Sequence, residues 1–374
     1  MLLVGLRSCQ TAPGDAPRAA DRHALDSVTR HGAPRAAVVV ASAAGTTEFH
    51  RHRVPVPRSN DGEAQVARKP DGRLRWHRTT LDGRTAVYGE AGDGPPVIFL
   101  HGWGLSARSY AKALPMIAAT GARVLAPALP GFGRSDALPG EYTFEKLARW
   151  VDALLEHADV DEPAAFVGHS FGGGVATATA WHYPDRARSL TLVNSVGGSV
   201  WKKDEEQRKG RLLADRPLWD WGLRLPTEFG QRDYRRVLPV VLRDVVGNAL
   251  SNPAAVWRAA DLARQADLRT ELSTLAERGL PVSILWGSED TVVPEATFLA
   301  MCEAAGAPGD IIADAGHSWL LADPEGFGEL VTNSLTVRRT LDERTTDPHE
   351  AHDGAETGEQ AGEESGGHPT SATA

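Results

Sequence analysis

Three short segments carry side chains from which hydrolytic chemistry can be built. Gly168-His169-Ser170-Phe171-Gly172 sets a serine between two glycines, after the apolar run Ala165-Phe166-Val167 and before a helix-like stretch from Phe171 to Pro184. A sharp strand-to-helix turn strains the backbone of its central residue, and bulk at the flanking positions would clash, so Gly168 and Gly172 fit such a turn. The serine oxygen is then exposed above the strand end, and the Phe171 amide lies at the positive end of the helix. In a Gly-rich chain the pentapeptide also arises by chance, and a Gly-rich turn before a tightly packed helix is the other reading of it. The strand before it and the helix after it favour a nucleophile.

Two further segments supply a base and an acid. Asp314-Ala315-Gly316-His317-Ser318-Trp319 follows a strand-like run near Ile311-Ile312 and offers His317. Trp286-Gly287-Ser288-Glu289-Asp290-Thr291-Val292-Val293-Pro294 follows Val282-Ser283-Ile284-Leu285 and places two carboxylates, Glu289 and Asp290, on one loop. One of them is expected to orient the histidine. A fourth segment, Leu100-His101-Gly102-Trp103-Gly104, follows the buried run Val97 to Leu100. There the Trp103 amide can face the serine and, with that of Phe171, form an oxyanion hole, in which a single donor is worth a factor of about a hundred or more in rate. His101 has two roles open to it, bracing this loop or acting as base. His169, pointing away by strand alternation, is expected to pack or hydrogen-bond.

The elements that must position these groups alternate. Two β-rich runs between Trp76 and Tyr88 are split by Asp82-Gly83, a dipeptide suited to a type I′ hairpin turn. Strand texture follows at 97–100, 124–127, 165–167, 190–193, 282–285 and 310–312, and helix texture at 106–119, 143–157, 171–184, 295–305 and 324–340. Thr143 or its predecessor is the expected N-cap of the second helix, whose apolar residues 144, 147, 151, 154 and 155 share one face. This is an α/β pattern: a mostly parallel central sheet flanked by helices. The alternation lapses from 199 to 280, a helix-like stretch expected to form a cap inserted after the sixth strand. The domain reading is an N-terminal extension without order at 1–73, core halves at 74–198 and 281–341, the cap at 199–280, and an acidic tail without order at 342–374.

Composition narrows the function classes. With 41% hydrophobic residues, the 374-residue chain can bury a sizeable core. The net charge of −9 comes chiefly from the stretch after Leu341, which has nine acids against Arg344. What remains is not basic enough for nucleic acid, which is set aside as a partner. No apolar run reaches the roughly 18 residues a membrane-spanning helix needs. The N-terminus lacks the layout of an ordinary signal peptide; the apolar stretch Ala36 to Ala44 is signal-like in texture but far from residue 1. The two cysteines, Cys9 and Cys302, form no disulfide framework. A cytoplasmic location is the expectation.

Taken in order, H-G-W-G at 101–104, P-G-F-G-R-S-D at 130–136, G-H-S-F-G-G at 168–173, W-G-S-E-D-T-V-V-P at 286–294 and G-H-S-W at 316–319 resemble the landmarks of the α/β-hydrolase superfamily. The resemblance covers about residues 74–341. It implies the α/β-hydrolase fold and a catalytic triad in the chain order Ser170, Asp290, His317, since that order marks this fold's version of the triad. It favours Asp290 over Glu289 as the orienting acid, and a bracing His101, because a base lies downstream. Ser170 at the nucleophile position disfavours the aspartate-nucleophile members, such as haloalkane dehalogenases. Nearest in texture are serine esterases and lipases, the meta-cleavage C–C hydrolases and the cofactor-free haloperoxidase-like group.

The implied activity is hydrolysis of a carboxylic ester or related small acyl substrate through an acyl-enzyme, with no metal or organic cofactor. A C–C bond hydrolase and a non-hydrolytic receptor on the same fold are the alternatives. Substrate contacts are expected from Asn194, just past a strand end, from Trp219 and Trp221 in the cap, and from Trp319. Trp201, Phe229 and Trp257 are further cap aromatics, and packing is the competing use for all of these rings.

Overall fold

Strands apolar on both faces belong in the middle of a sheet covered on both sides, and the central strands are of this kind. The computed structural model describes residues 38–41, 73–202, 211, 212, 214 and 234–346. In chain order the strands are β1 (Val38–Ala41), β2 (Arg75–Leu81), β3 (Arg84–Ala91), β4 (Pro96–Leu100), β5 (Arg123–Pro127), β6 (Ala164–His169), β7 (Ala187–Val193), β8 (Val200–Lys202), β9 (Arg211–Leu212), β10 (Val282–Gly287) and β11 (Gly309–Ile312). The α-helices are α1 (Leu114–Ala118), α2 (Phe144–His157), α3 (Phe171–His182), α4 (Tyr234–Ser251), α5 (Pro253–Arg264), α6 (Arg269–Glu277), α7 (Glu295–Ala305), α8 (Trp319–Ala322) and α9 (Pro324–Thr346).

Nine strands form one sheet in the order β1-β11-β10-β7-β6-β4-β5-β3-β2. The run from β5 through β4, β6, β7 and β10 to β11 is parallel, and β1, β2 and β3 pair antiparallel at the two edges. Every residue of β4 and β6 is buried. Alternate side chains enter opposite layers: Ile98, Leu100 and Phe166 pack with α2 and α3, whereas Val97, Phe99 and Val167 pack with α1 and α9. The β2–β3 turn has positive φ at both Asp82 and Gly83 (49° and 73°), the type I′ geometry read from the sequence. Thr143 caps α2, its hydroxyl accepting from the Lys146 amide.

Counted from β2, the sixth strand is β7, after which the cap region begins. Within it α4 and α5 are helical as expected, but β8 and β9 form a short antiparallel pair, so the region is not all helix. Its last helix, α6, packs on α3 and α7 and thus belongs to the layers flanking the sheet, because Leu272 and Leu275 enter the same apolar cluster as Val175 and Phe298.

Other expectations are corrected too. Residues 38–41, placed in an extension without order, pair with β11, where three consecutive valines satisfy an otherwise open sheet edge. The single helix expected over 106–119 is split into a 3₁₀ turn at Ala107–Tyr110 and α1. Pro115 explains the break, since its ring and missing N–H are tolerated only in the first turn of a helix. At the other end, α9 continues through Thr346 into the stretch expected to lack order, stopping two residues short of Pro348.

Candidate active site

Five loops leave the carboxyl ends of parallel strands and meet at one edge of the sheet: those after β4, β6, β7, β10 and β11. This is the edge at which ligands bind in open α/β sheets. The loop after β6 contains Ser170, whose backbone sits at φ 53°, ψ −119°. A non-glycine residue in that region costs on the order of 1–3 kcal/mol and persists only where its surroundings over-determine it. They do so here: the Ser170 amide donates to Val193 O (3.0 Å), and Ser170 O accepts from the Gly173 amide (3.0 Å). The flanking glycines are required by close approach. A methyl on Gly168 would lie 2.4 Å from Gly173 Cα, and one on Gly172 would lie 2.2 Å from Leu100 O.

Ser170 Oγ lies 3.0 Å from His317 Nε2, and His317 Nδ1 lies 2.9 Å from Asp290 Oδ2. Since a carboxylate only accepts, Nδ1 carries the proton, and Nε2 presents its lone pair to the serine hydroxyl. That tautomer can take a proton from Ser170. The Asp290 side chain is wholly buried and the His317 side chain 11% exposed. Asp290 Oδ1 accepts from the amides of Val292 and Val293, both at 2.8 Å, and Oδ2 accepts from Asn194 Nδ2 as well as from His317. Glu289, the other carboxylate of the loop, is exposed. The structure therefore brings Ser170, Asp290 and His317 into one hydrogen-bonded row.

The two amides expected to form an oxyanion hole belong to Phe171, next to Ser170 in the chain, and to Trp103, next to Gly102. Phe171 is the first residue of α3, where the helix leaves its amide without an internal acceptor. The Gly102–Trp103 segment passes close by, because a methyl on Gly102 would sit 3.3 Å from Ser170 Cβ. The Trp103 ring is anchored in the cap, its Nε1 donating to Val256 O at 2.8 Å.

His101 braces this loop. Its Nε2 accepts from the Leu129 amide (2.9 Å) and its Nδ1 donates to Gly102 O (2.9 Å), which fixes a neutral ring. Burial pushes its pKa down to about 4, although the bond to Gly102 works in the opposite direction. His169 is also fully buried and neutral, held well below the usual histidine range first by burial and then by the neighbouring His317. Its Nε2 donates to the backbone O of His317 (3.0 Å), and its Nδ1 accepts from the Tyr110 hydroxyl (2.8 Å), which itself accepts from the Gly102 amide (3.3 Å). One chain of hydrogen bonds thus joins the Trp103 loop to the His317 loop.

Two expected substrate contacts are corrected. Asn194 is completely buried and Trp319 nearly so, and both stand behind Asp290: the indole donates to Asn194 Oδ1 at 3.0 Å while the Asn194 amide donates to the carboxylate. With these polar groups used internally, neither is free to bind a substrate's polar atoms. Trp219 and Trp221 lie outside the described residues, as does Phe229. Trp201 falls in β8, and Trp257 is 65% exposed. Tyr110, Asp244 and Asn248, which hold the Trp103 loop, were missed, and nothing in their local sequence marks them.

Among the described residues no cluster of three or more His, Cys, Asp or Glu could hold a metal ion, and no helix is long and apolar enough to cross a membrane.

A family model described as alpha/beta hydrolase fold matches residues 95–324. A pimeloyl-[acyl-carrier protein] methyl ester esterase of Shewanella sp. (strain MR-7) is 29% identical over 255 residues, covering 64% of this chain and 90% of the relative. A 2-hydroxymuconate semialdehyde hydrolase of Pseudomonas sp. (strain CF600) is 27% identical over 264 residues, covering 66% and 88%. The crystal structure of a bromoperoxidase from Bacillus anthracis superposes with a TM-score of 0.57 at 20% identity, covering 70% of this chain and 99% of that one.

Proposed function

Because the chain belongs to the alpha/beta hydrolase family, we propose that it is a serine hydrolase cleaving carboxylic esters or related acyl substrates with Ser170, His317 and Asp290 as its triad. The observation that carries this reading is the pair of contacts through one imidazole, 3.0 Å to Ser170 Oγ and 2.9 Å to Asp290 Oδ2. In the proposed cycle His317 Nε2 takes the hydroxyl proton as Ser170 Oγ attacks the substrate carbonyl carbon. The resulting imidazolium is stabilised by Asp290, which stays ionised throughout. The Trp103 and Phe171 amides hold the negative charge that develops on the carbonyl oxygen. Collapse of the tetrahedral species expels the alcohol, which takes the proton from His317, and leaves the acyl group on Ser170. Water, deprotonated by the same imidazole, then attacks the acyl-enzyme and releases the acid. The substrate class we propose is a small or medium apolar acyl group, with the cap setting its limits.

The likeness to a methyl ester esterase supports ester cleavage, and that to a 2-hydroxymuconate semialdehyde hydrolase makes C–C cleavage the competitor. A panel of p-nitrophenyl esters graded by acyl length, run on the purified full-length chain beside a ring-cleavage dienoate, separates them. Ester turnover that disappears in Ser170→Ala, together with fluorophosphonate labelling, is the expected result. Faster turnover of the dienoate would move the assignment to a C–C hydrolase. Ester turnover retained in Ser170→Ala would remove the serine mechanism, and failure of the wild-type chain to be labelled or to turn over any substrate would favour a non-hydrolytic binding role.

A further inference from the structure

Four successive residues of the loop after β4 are tied to the cap. The Trp103 indole donates to Val256 O on α5. The carbonyls of Gly104 and Leu105 accept from Asn248 Nδ2 at 2.9 and 3.3 Å. Ser106 Oγ donates to Asp244 Oδ2 at 2.6 Å, and Ser109 Oγ donates to the same oxygen at the same distance. Asn248 also uses its other amide atom, Oδ1 accepting from the Gly133 amide at 2.9 Å, so one side chain joins the Trp103 loop to the Gly131–Ser135 loop.

Asp244 and Asn248 stand at i and i+4 on α4, hence on one face of that helix. Both are buried, at 8% and 7% exposure, while Leu242, Val246 and Leu250 of the same helix are 50%, 49% and 80% exposed. The face of α4 turned to the core is therefore held in part by polar bonds, with part of its apolar surface left open. A buried polar group is stable only when bonded, so each such bond specifies a docked position where an apolar contact would permit sliding.

We propose that the cap is a working part of the oxyanion hole, with Asp244 and Asn248 as positioning residues that set where the Trp103 amide points. The inference rests on the serine-hydrolase reading above. Oxyanion donors act only when aimed at the place where charge develops, and a displacement of about 1 Å can cost on the order of a hundredfold in rate. Trp103 lies between the His101 brace on one side and the cap tethers on the other. Releasing the tethers should weaken stabilisation of the tetrahedral state while leaving ground-state binding of the ester nearly unchanged.

The test uses the full-length chain, with active sites counted by fluorophosphonate titration, p-nitrophenyl butyrate as substrate and a trifluoromethyl ketone as tetrahedral mimic. Asn248→Ala and Asp244→Ala are expected to lower kcat about 10- to 100-fold, with KM changed less than about twofold, and to weaken ketone inhibition by the same factor. Asp244→Asn, which keeps an oxygen able to accept from both serines, should restore most of the loss. Leu242→Ala, on the exposed face, should change nothing. If the alanine variants do not fold, Ser109→Ala, which removes a single tether, should lower kcat and ketone affinity in parallel by about threefold or more.

Folded variants with unchanged kcat per labelled site would overturn the proposal, as would a loss of kcat without a matching loss of ketone affinity, or an equal loss in Leu242→Ala. Those results leave the serine mechanism standing. A wild-type chain that neither cleaves an acyl substrate nor reacts with fluorophosphonate removes that mechanism and this inference together.

Discussion

Asn194 donates its amide to Asp290 Oδ2, the same oxygen that receives His317 Nδ1–H, while its carbonyl accepts from the Trp319 indole. The carboxylate is thus steered from two sides, by the imidazole it orients and by a buried amide that is itself held in place. Asn194 occupies the left-handed region (φ 47°), tolerable for asparagine, and its backbone amide is pinned to Leu285 O at 2.8 Å.

Replacing Asn194 with Ala removes one donor from Asp290 and leaves the Trp319 N–H buried without its acceptor. Each unsatisfied buried group costs about 1–3 kcal/mol. The variant should lose roughly tenfold or more in ester kcat and melt several degrees lower, with KM little changed. Steady-state kinetics beside a thermal melt check it; an unchanged kcat would show that Asp290 needs no support beyond His317 and the Val292 and Val293 amides.

Tyr110→Phe removes the hydroxyl that bonds to His169 Nδ1 and accepts from the Gly102 amide. His169 Nε2 still donates to His317 O, but its Nδ1 loses the hydroxyl that donates to it and the Gly102 amide loses its acceptor, so the link between the two loops is cut. A several-fold fall in kcat with a stability loss of about 1–3 kcal/mol is expected. Denaturant unfolding and ester kinetics measure the two effects separately.

Two glycines should respond differently to alanine. At Gly172 the new methyl would meet Leu100 O and the carbonyl of His101 at 2.2 and 2.6 Å, forcing the β4 end away from Ser170. Gly172→Ala should abolish ester turnover or prevent folding. At Gly83 nothing lies within 4 Å, and the only cost is the positive φ of 73° in the hairpin turn. Gly83→Ala should cost about 1 kcal/mol and leave kcat unchanged.

His101 has its pKa lowered from 6.5 to about 4, chiefly by burial. Below pH 6.5 the unfolded chain binds a proton that the folded chain refuses, so this residue's contribution is complete above pH 6.5 and declines as pH falls, until the folded form also protonates near pH 4. At pH 5 the loss is about 2 kcal/mol. His169, shifted in the same direction, adds to the slope. Stability measured by denaturant should fall between pH 7 and pH 5. In His101→Gln it should start lower but fall less steeply; an equal slope would mean that His101 is not the group responsible.

Residues close in sequence decided what could be read without a fold. The serine turn, the Asp82-Gly83 hairpin, the Thr143 cap and the alternation of strands with helices depend on steric and hydrogen-bonding rules acting within a few residues. Ser170, His317 and the pair Glu289 and Asp290 stood out by the same kind of signal, because each lies on a loop directly after a strand; the choice of Asp290 came from the resemblance to the α/β-hydrolase superfamily. Where local rules misled, a neighbour in space had overridden them: β11 offered its open edge to Val38–Ala41, and the layers beside the sheet took in α6.

The support of the site came only with the tertiary structure. Strand order sets β7 between β6 and β10, and so carries Asn194 to Asp290 across 96 residues. It places β6 beside β4, so that Tyr110, 59 residues away in sequence, reaches His169. The cap returns Asp244 to Ser106 over a separation of 138. An asparagine, a tyrosine or an aspartate has no sequence signature for such a role, since its value depends on which partner the sheet and the cap deliver to it. The sequence by itself marked Ser170 and His317 as candidate reacting groups through local turn and strand rules; the arrangement of the sheet and cap decided which buried groups surround them.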